Sequence, residues 1–331
     1  MKVLIWHVHG SWTTTFVGGP HEYLVPVVPD RGPDGRGRAR TWQWPASVVE
    51  ASPAELADRA REVDAVVLQR PHEVELLHRW TGLRAGVDVP AVYVEHNAPT
   101  EHAARSRHPL AGLDAVEDGR LPIVHVTAFN ALMWDTGEAR TRVIDHAVID
   151  PGHLYTGAAE RLGAVVNEPV RRWRVAGTDV LLRVARDVPL DVYGMAVEKL
   201  GEHLGATGGR AGEARLHDDV PQAQMHARLA QARAYLHPYR WTSLGLALLE
   251  AMALGMPVLA LPTTEAPAAV PRSAGVLSAR PEELVAVARR WLADPDEARA
   301  HGDAARSHVL DHYAPAAFHR RWDALLQEVT A

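Results

Sequence analysis

Short apolar runs bounded by turn residues alternate along this chain with longer segments rich in Ala, Arg, Glu and Leu. That alternation marks parallel sheets covered by helices on both faces. In the first half the runs predict strands at Val3 to His9, Ala65 to Gln69, Ala91 to Glu95, Ile123 to Ala128 and Arg142 to His146. A second set follows Pro151, at Ala164 to Val166, Leu190 to Tyr193, Ala234 to His237, Val258 to Leu261 and Gly275 to Ser278. Between the sets lies VIDPGHLYTG, from Val148 to Gly157, whose Pro and Gly residues punctuate the chain as a hinge. Toward the end, ELVAVARRWLADP and DAARSHVLDHY read as helices, and a last helix is built on Phe318, Trp322, Leu325 and Leu326. The predicted class is α/β, with two Rossmann-like domains and a terminal helix.

One run is denser in signals than the rest. From Tyr235 to Leu261, YLHPYRWTSLGLALLEAMALGMPVLAL reads as a buried strand, a tight loop, an amphipathic helix with one carboxylate, and a second buried strand. Pro238 ends the first strand, and Gly245 lets backbone approach a ligand. Leu246, Leu249 and Ala253 share one helical face, and Glu250 stands off it. Gly255 supplies the position past the helix end, and Pro257 starts the next strand.

At these residues the chain resembles the retaining glycosyltransferases of GT-B architecture, in particular family 4. Their pattern is Pro-Ser-x-x-Glu-Gly-Phe-Gly-Leu-x-x-x-Glu-Ala-Met-Ala-x-Gly-x-Pro-Val. Pro238, Gly245, Leu246, Glu250, Ala251, Met252, Ala253, Gly255, Pro257 and Val258 stand in its places. The family's first glutamate falls on Thr242, which leaves Glu250 alone of the usual pair. The resemblance implies two domains facing each other across a cleft. Residues 1–149 would form the acceptor side and 150–312 the nucleotide-sugar donor side, with a helix over 313–331 returning to the first domain.

Composition narrows the choice. The 331 residues suffice for two domains, and 47% hydrophobic with 23% charged residues is ordinary for a globular protein. With no cysteine, disulfides, zinc-thiolate sites and cysteine nucleophiles are excluded, which suits a reducing, cytoplasmic setting. The N-terminus, MKVLIWHVHG, is too short an apolar run for a signal peptide core or a membrane span. A net charge of −6 argues against nucleic-acid partners, since phosphate-backbone binding leaves a basic footprint. The oligomeric state is not readable.

Ligands of open α/β sheets lie at the carboxyl ends of strands, and the resemblance assigns roles to the polar residues there. Gly10 and Ser11, with Gly18 and Gly19, form the loop after the first strand and would bring amides toward the donor phosphates, or else form a plain turn. His96, in the EHNAP segment ending the third strand, matches the family's histidine facing the transferred sugar; His7 and His9 are weaker candidates among 19 histidines. After the first strand of the second domain, NEPVRRWR offers Arg172 and Arg174 as a diphosphate clamp, because a guanidinium grips phosphate in a planar, bidentate way. The family's lysine is absent, with Gly177-Thr178-Asp179 in its region. The turn Thr242, Ser243, Leu244, Gly245 and Leu246 would set helix-start amides at the diphosphate, Thr242 and Ser243 would meet the sugar by hydroxyls, and Glu250 would accept from the ribose. Finally, DRGPDGRGRARTWQW, from Asp30 to Trp44, would hold a polar or anionic acceptor through Arg36, Arg38 and Arg40, or else form a mobile solvated loop.

The resemblance thus implies transfer from a nucleotide diphosphate sugar, such as a UDP sugar, to a small-molecule, glycan or glycolipid acceptor. Retention is expected, with no metal and no cofactor, since no Asp-x-Asp sits at a strand end and arginines with amides can stabilise the departing diphosphate. Two alternatives stay open: another enzyme on this architecture, either an inverting transferase with His9 or His96 as base or a nucleotide-sugar epimerase, and a catalytically silent nucleotide-sugar-binding protein.

Overall fold

The computed structural model describes residues 1–101 and 105–331. Seven short runs of β-branched and small apolar residues form one sheet: β1 Lys2–Ile5, β2 Glu22–Pro26, β3 Val48–Ala51, β4 Ala65–Leu68, β5 Ala91–Glu95, β6 Ile123–His125 and β7 Thr141–Val143. Its order is β3-β2-β1-β4-β5-β6-β7, with every neighbouring pair parallel. A second parallel sheet, ordered β10-β9-β8-β11-β12-β13, comprises β8 Ala159–Val165, β9 Leu190–Gly194, β10 Arg215–Asp218, β11 Ala232–His237, β12 Val258–Ala260 and β13 Gly275–Leu277. Parallel neighbours require crossovers, and helices covering both faces explain why the central strands are apolar throughout. β4, β5 and β11 are buried at every position.

Several expectations are corrected. The sequence pattern carries the first strand to His9, but pairing ends at Ile5, and the run placed at Ile123 to Ala128 gives way at Ala128 to a helix, Ala128–Met133. β2, β3 and β10 escape the pattern because β2 ends on a proline, β3 is four residues long, and β10, RLHD, is a half-exposed edge strand. The Leu246–Leu254 helix, read as amphipathic, is buried on all sides from Leu248 onward.

The chain divides into two compact units, Met1–Ala147 with Pro315–Ala331, and Val148–Ala314. In the first, the terminal helix Pro315–Thr330 sets Phe318 and Trp322 edge-on against Trp12, with Trp322 also edge-on to Phe16. Such contacts each add about 0.5–1.5 kcal/mol beyond the area they bury. In the second, apolar clusters cover both faces of the sheet: Tyr235, Leu248, Met252 and Val258 belong to one, and Leu162, Ala234, Leu259 and Trp291 to the other. Among the described residues no helix is long and apolar enough to cross a membrane.

Candidate functional site

In each sheet the strand order reverses at one point, between β1 and β4 and between β8 and β11. Loops leave a switch point in opposite directions and open a crevice, the usual ligand position in such sheets.

At the β8/β11 point, the chain leaves β8 through Glu168, held in the left-handed region at φ 50°, and enters the Pro169–Ala176 helix. Gly177 ends that helix at φ +70°, and a Cβ there would lie 1.7 Å from the Pro238 carbonyl oxygen, so only glycine permits this approach of the turn to the end of β11. The Arg172 guanidinium stands 5.7 Å from the centroid of the Tyr239 ring, directly after β11, and makes no ion pair among the described residues. A cation held on a ring face keeps its charge and its N–H groups for an anion. Arg174 is placed differently. It is exposed and pairs at 2.6 Å with Asp179, which also takes both Arg240 terminal nitrogens. Burial would raise the Asp179 carboxyl, but Arg240 and Arg174 outweigh it and hold it low. Arg171 is likewise committed, to Glu168.

The loop after β11 climbs to the Leu246–Leu254 helix, with Gly245 as its N-terminal cap residue and no side-chain cap. Four N–H groups open every helix, and here those of Gly245 and Leu246 have no partner among the described residues. Gly245 is required by packing: an added Cβ would meet Cε1 of His237 at 2.8 Å. His237 ends β11, fully buried, and burial pushes its imidazole down to about 3. It is therefore neutral at pH 7 and sits 5.0 Å from the Tyr239 ring. Ser243 is buried, and its carbonyl accepts from the Glu265 amide at 3.4 Å; Thr242 is more exposed and is the hydroxyl of the pair nearer solvent.

Glu250, one turn inside the helix, is buried, and its carboxylate oxygens meet Gln222 Nε2 at 3.0 Å and His226 Nε2 at 3.2 Å. A buried carboxylate without partners would cost several kcal/mol, so this pair explains how Glu250 is tolerated in an apolar helix. Sequence reasoning missed both partners and also His237 and Tyr239. A signal existed, because Gln222 and His226 are spaced i, i+4 and therefore share one face of the Gln222–Leu229 helix. It missed as well a cavity of about 670 Å³ lined by Asp179, Arg240, Trp241, Leu261, Thr263 and Thr264, among others.

In the first unit, Gly10 and Ser11 open a helix, Gly10–Phe16, rather than a loop. That corrects the grouping of Gly18 and Gly19 with them: seven helical residues at about 1.5 Å each carry this second pair to the opposite end. Their amides donate to the Thr15 and Phe16 carbonyls at 3.2 and 3.1 Å, so neither is available to a phosphate. His96 is buried at the end of β5, its ring 4.0 Å from that of His9 and 4.8 Å from that of Trp12. Burial, then His9 and His146, lower His96 well below the ordinary histidine range; burial first also brings His9 to about 4 and His146 to about 3. The three rings are neutral at pH 7. No group of three His, Asp or Glu residues among the described ones is arranged to hold a metal ion.

Two parallel sheets with helices on both faces, each with one switch point, give this chain the GT-B architecture. Residues 173–327 match the family model described as "Glycosyl transferase-like". Among solved structures, the chain is similar to sucrose-phosphate synthase from Thermosynechococcus elongatus, with 14% identity, TM-score 0.72 and 99% of each chain covered. It is also similar to HepE from Anabaena in complex with UDP, with 14% identity, TM-score 0.70, and 99% of this chain and 100% of that one covered. A glycosyltransferase from Rickettsia africae matches at 11% identity and TM-score 0.66, over 99% and 98% of the two chains. At these identities the likeness is one of fold. No curated protein sequence matches the chain.

Proposed function

We propose that this chain is a glycosyltransferase that moves a sugar from a UDP sugar to an acceptor with retention of anomeric configuration. The observation that carries the proposal is the cluster at the β8/β11 switch point. There Arg172 on the Tyr239 face, the open amides of Gly245 and Leu246, and the carboxylate of Glu250 belong to adjoining elements of one unit. Anabaena HepE, which shares the fold, has been crystallised with UDP and with UDP-glucose. In this reading Glu250 accepts from the ribose hydroxyls, with Gln222 and His226 fixing its orientation. The helix-start amides and Arg172 hold the diphosphate, with Arg174 in a secondary role because Asp179 already engages it.

Chemistry then follows from charge. As the bond between the anomeric carbon and the phosphate oxygen breaks, negative charge grows on the diphosphate, where a fixed guanidinium and fixed amides stabilise it most. The acceptor hydroxyl attacks from the same face, its oxygen bonds the anomeric carbon, and its proton passes to the departing phosphate oxygen, releasing UDP. Thr242 and Ser243 contact the sugar with neutral hydroxyls, and neutral His96 faces it through its Nε2. The test is turnover: the protein is incubated with UDP sugars and candidate acceptors, and both UDP release and the anomeric configuration of the product are read. A retained configuration is expected. An inverted product, or no UDP release with any UDP sugar, contradicts the proposal.

A further inference from the structure

The segment Asp30 to Trp44, left open by sequence as acceptor site or mobile loop, is neither loose nor featureless. Val28 N–H donates to the Gly35 carbonyl at 2.9 Å and Gly37 N–H to the Pro26 carbonyl at 2.9 Å, which ties the turn to the end of β2. Glu50 of β3 accepts two bonds from Arg31, at 2.9 and 3.1 Å, and one from the Arg38 amide at 2.7 Å. The Arg38 guanidinium donates to the carbonyls of Trp44, Pro45 and Val48. Arg70, outside the segment, donates to the Pro33 carbonyl at 3.0 Å.

These bonds frame a cavity of about 490 Å³ lined by His7, Asp30, Arg31, Arg36, Arg38 and Arg40, together with Pro29. The charges around it are uneven. Four guanidiniums face two carboxylates, Asp30 in the wall and Glu50 behind Arg31, in a chain whose net charge is −6. Arg31 and Arg38 are committed to the framework. Arg36 and Arg40 have no hydrogen-bond or ion-pair partner for their side chains among the described residues. His7 Nδ1 lies 3.0 Å from the Gly37 carbonyl, which can only accept, so Nδ1 carries the proton and Nε2 is left for the cavity side. Burial, and then Arg36, keep His7 below the ordinary histidine range.

We infer that this cavity is a binding site for a phosphate group of the acceptor, with Arg36 and Arg40 as the gripping residues and Arg31 and Arg38 as the pins that aim them. The inference deepens the transferase reading and rests on it only for the word acceptor; the anion site stands on its own geometry. Planar guanidiniums with free N–H forks match phosphate oxygens, and the two positive charges of Arg36 and Arg40, which no carboxylate pairs among the described residues, outnumber the single carboxylate of Asp30 in the wall until an anion arrives. The position fits a polar substrate, since His7 lies two residues past the end of the strand at the first sheet's switch point.

The phosphate can belong to a soluble polyol or sugar phosphate or to a phospholipid headgroup, and one experiment separates the sources. With UDP saturating, glycerol 3-phosphate and glycerol are titrated calorimetrically into the wild type, Arg36→Gln and Arg40→Gln. In parallel, flotation is measured on phosphatidylglycerol and phosphatidylcholine vesicles. The expected result is binding of glycerol 3-phosphate but not glycerol, weakened tenfold or more in Arg36→Gln and in Arg40→Gln. Preferential flotation on phosphatidylglycerol, lost in the same two variants, assigns the phosphate to a lipid headgroup and equally supports the site. Thermal midpoints within a few degrees of wild type show that the variants fold. Glycerol 3-phosphate bound no better than glycerol, with no preference for phosphatidylglycerol vesicles, overturns the inference. Failure of UDP to bind would instead remove the donor reading, and the anion titration, read without UDP, still judges the cavity.

Discussion

At the scale of single residues, Glu250 shows how a polar group is made tolerable inside an apolar helix and is thereby held in one orientation. Its two oxygens are held by Gln222 and His226, so replacing it by glutamine preserves shape and removes the charge. Hydrogen bonds to a charged acceptor are worth about 1.5–3 kcal/mol. Glu250→Gln is therefore expected to weaken binding of uridine and of UDP alike, by about tenfold, leaving the ratio between them untouched when both are titrated by calorimetry. Equal affinity in variant and wild type would remove the ribose role. Arg172 and Arg174 make the opposite lesson plain. The sequence places them two residues apart with identical chemistry, and only the structure shows that Asp179 engages one while Tyr239 presents the other.

Among elements, the turn from β11 into the Leu246–Leu254 helix depends on Gly245 beside the buried His237 ring. Gly245→Ala must push that ring or lift the helix start. An expected loss of about 1–3 kcal/mol in unfolding free energy follows, with weaker UDP binding because the amides move. Truncating the ring relieves the crowding, so Gly245→Ala combined with His237→Ala is expected to fall short of the summed losses of the two single variants. Strict additivity in denaturant titrations would show that the two do not touch in the way described. This element was legible in advance because proline, glycine and a periodic apolar run coincide within 27 letters. The neighbouring β2, β3 and β10 were not, since a proline end, a four-residue length and a polar edge each erase the signal that a buried strand carries. The Gly18-Gly19 pair misled for a related reason: two glycines look alike whether they open a phosphate loop or close a helix, and here they close one.

For the whole molecule, the buried histidines set a common acid sensitivity. Burial lowers His9 and His125 to about 4 and His146 and His237 to about 3, against an ordinary value of 6.5. Above pH 6.5 these groups are neutral both folded and unfolded and cost nothing. As pH falls below 6.5 the unfolded chain takes up protons that the folded chain refuses until about pH 4 or 3, so stability is lost across that window. One unit of separation corresponds to about 1.4 kcal/mol per group. Glu73 works in the other direction, raised by burial against the pull of Arg70. The thermal midpoint is accordingly expected to drop by several degrees between pH 7.5 and pH 5, and His146→Asn to narrow the difference. Equal midpoints at both pH values would mean that these rings are solvated. None of this was visible from 19 histidines in a sequence, because burial, not identity, shifts them.

The central claim is that the second unit holds a nucleoside diphosphate, with its phosphates at Arg172 and the amides of Gly245 and Leu246. Titrating UDP and uridine into the wild type and Arg172→Ala tests it most directly. The account predicts that the wild type binds UDP at least tenfold more tightly than uridine, and that Arg172→Ala loses most of this difference while uridine affinity stays within about twofold. A wild type that binds UDP no better than uridine, or an Arg172→Ala variant with the full preference intact, would contradict it.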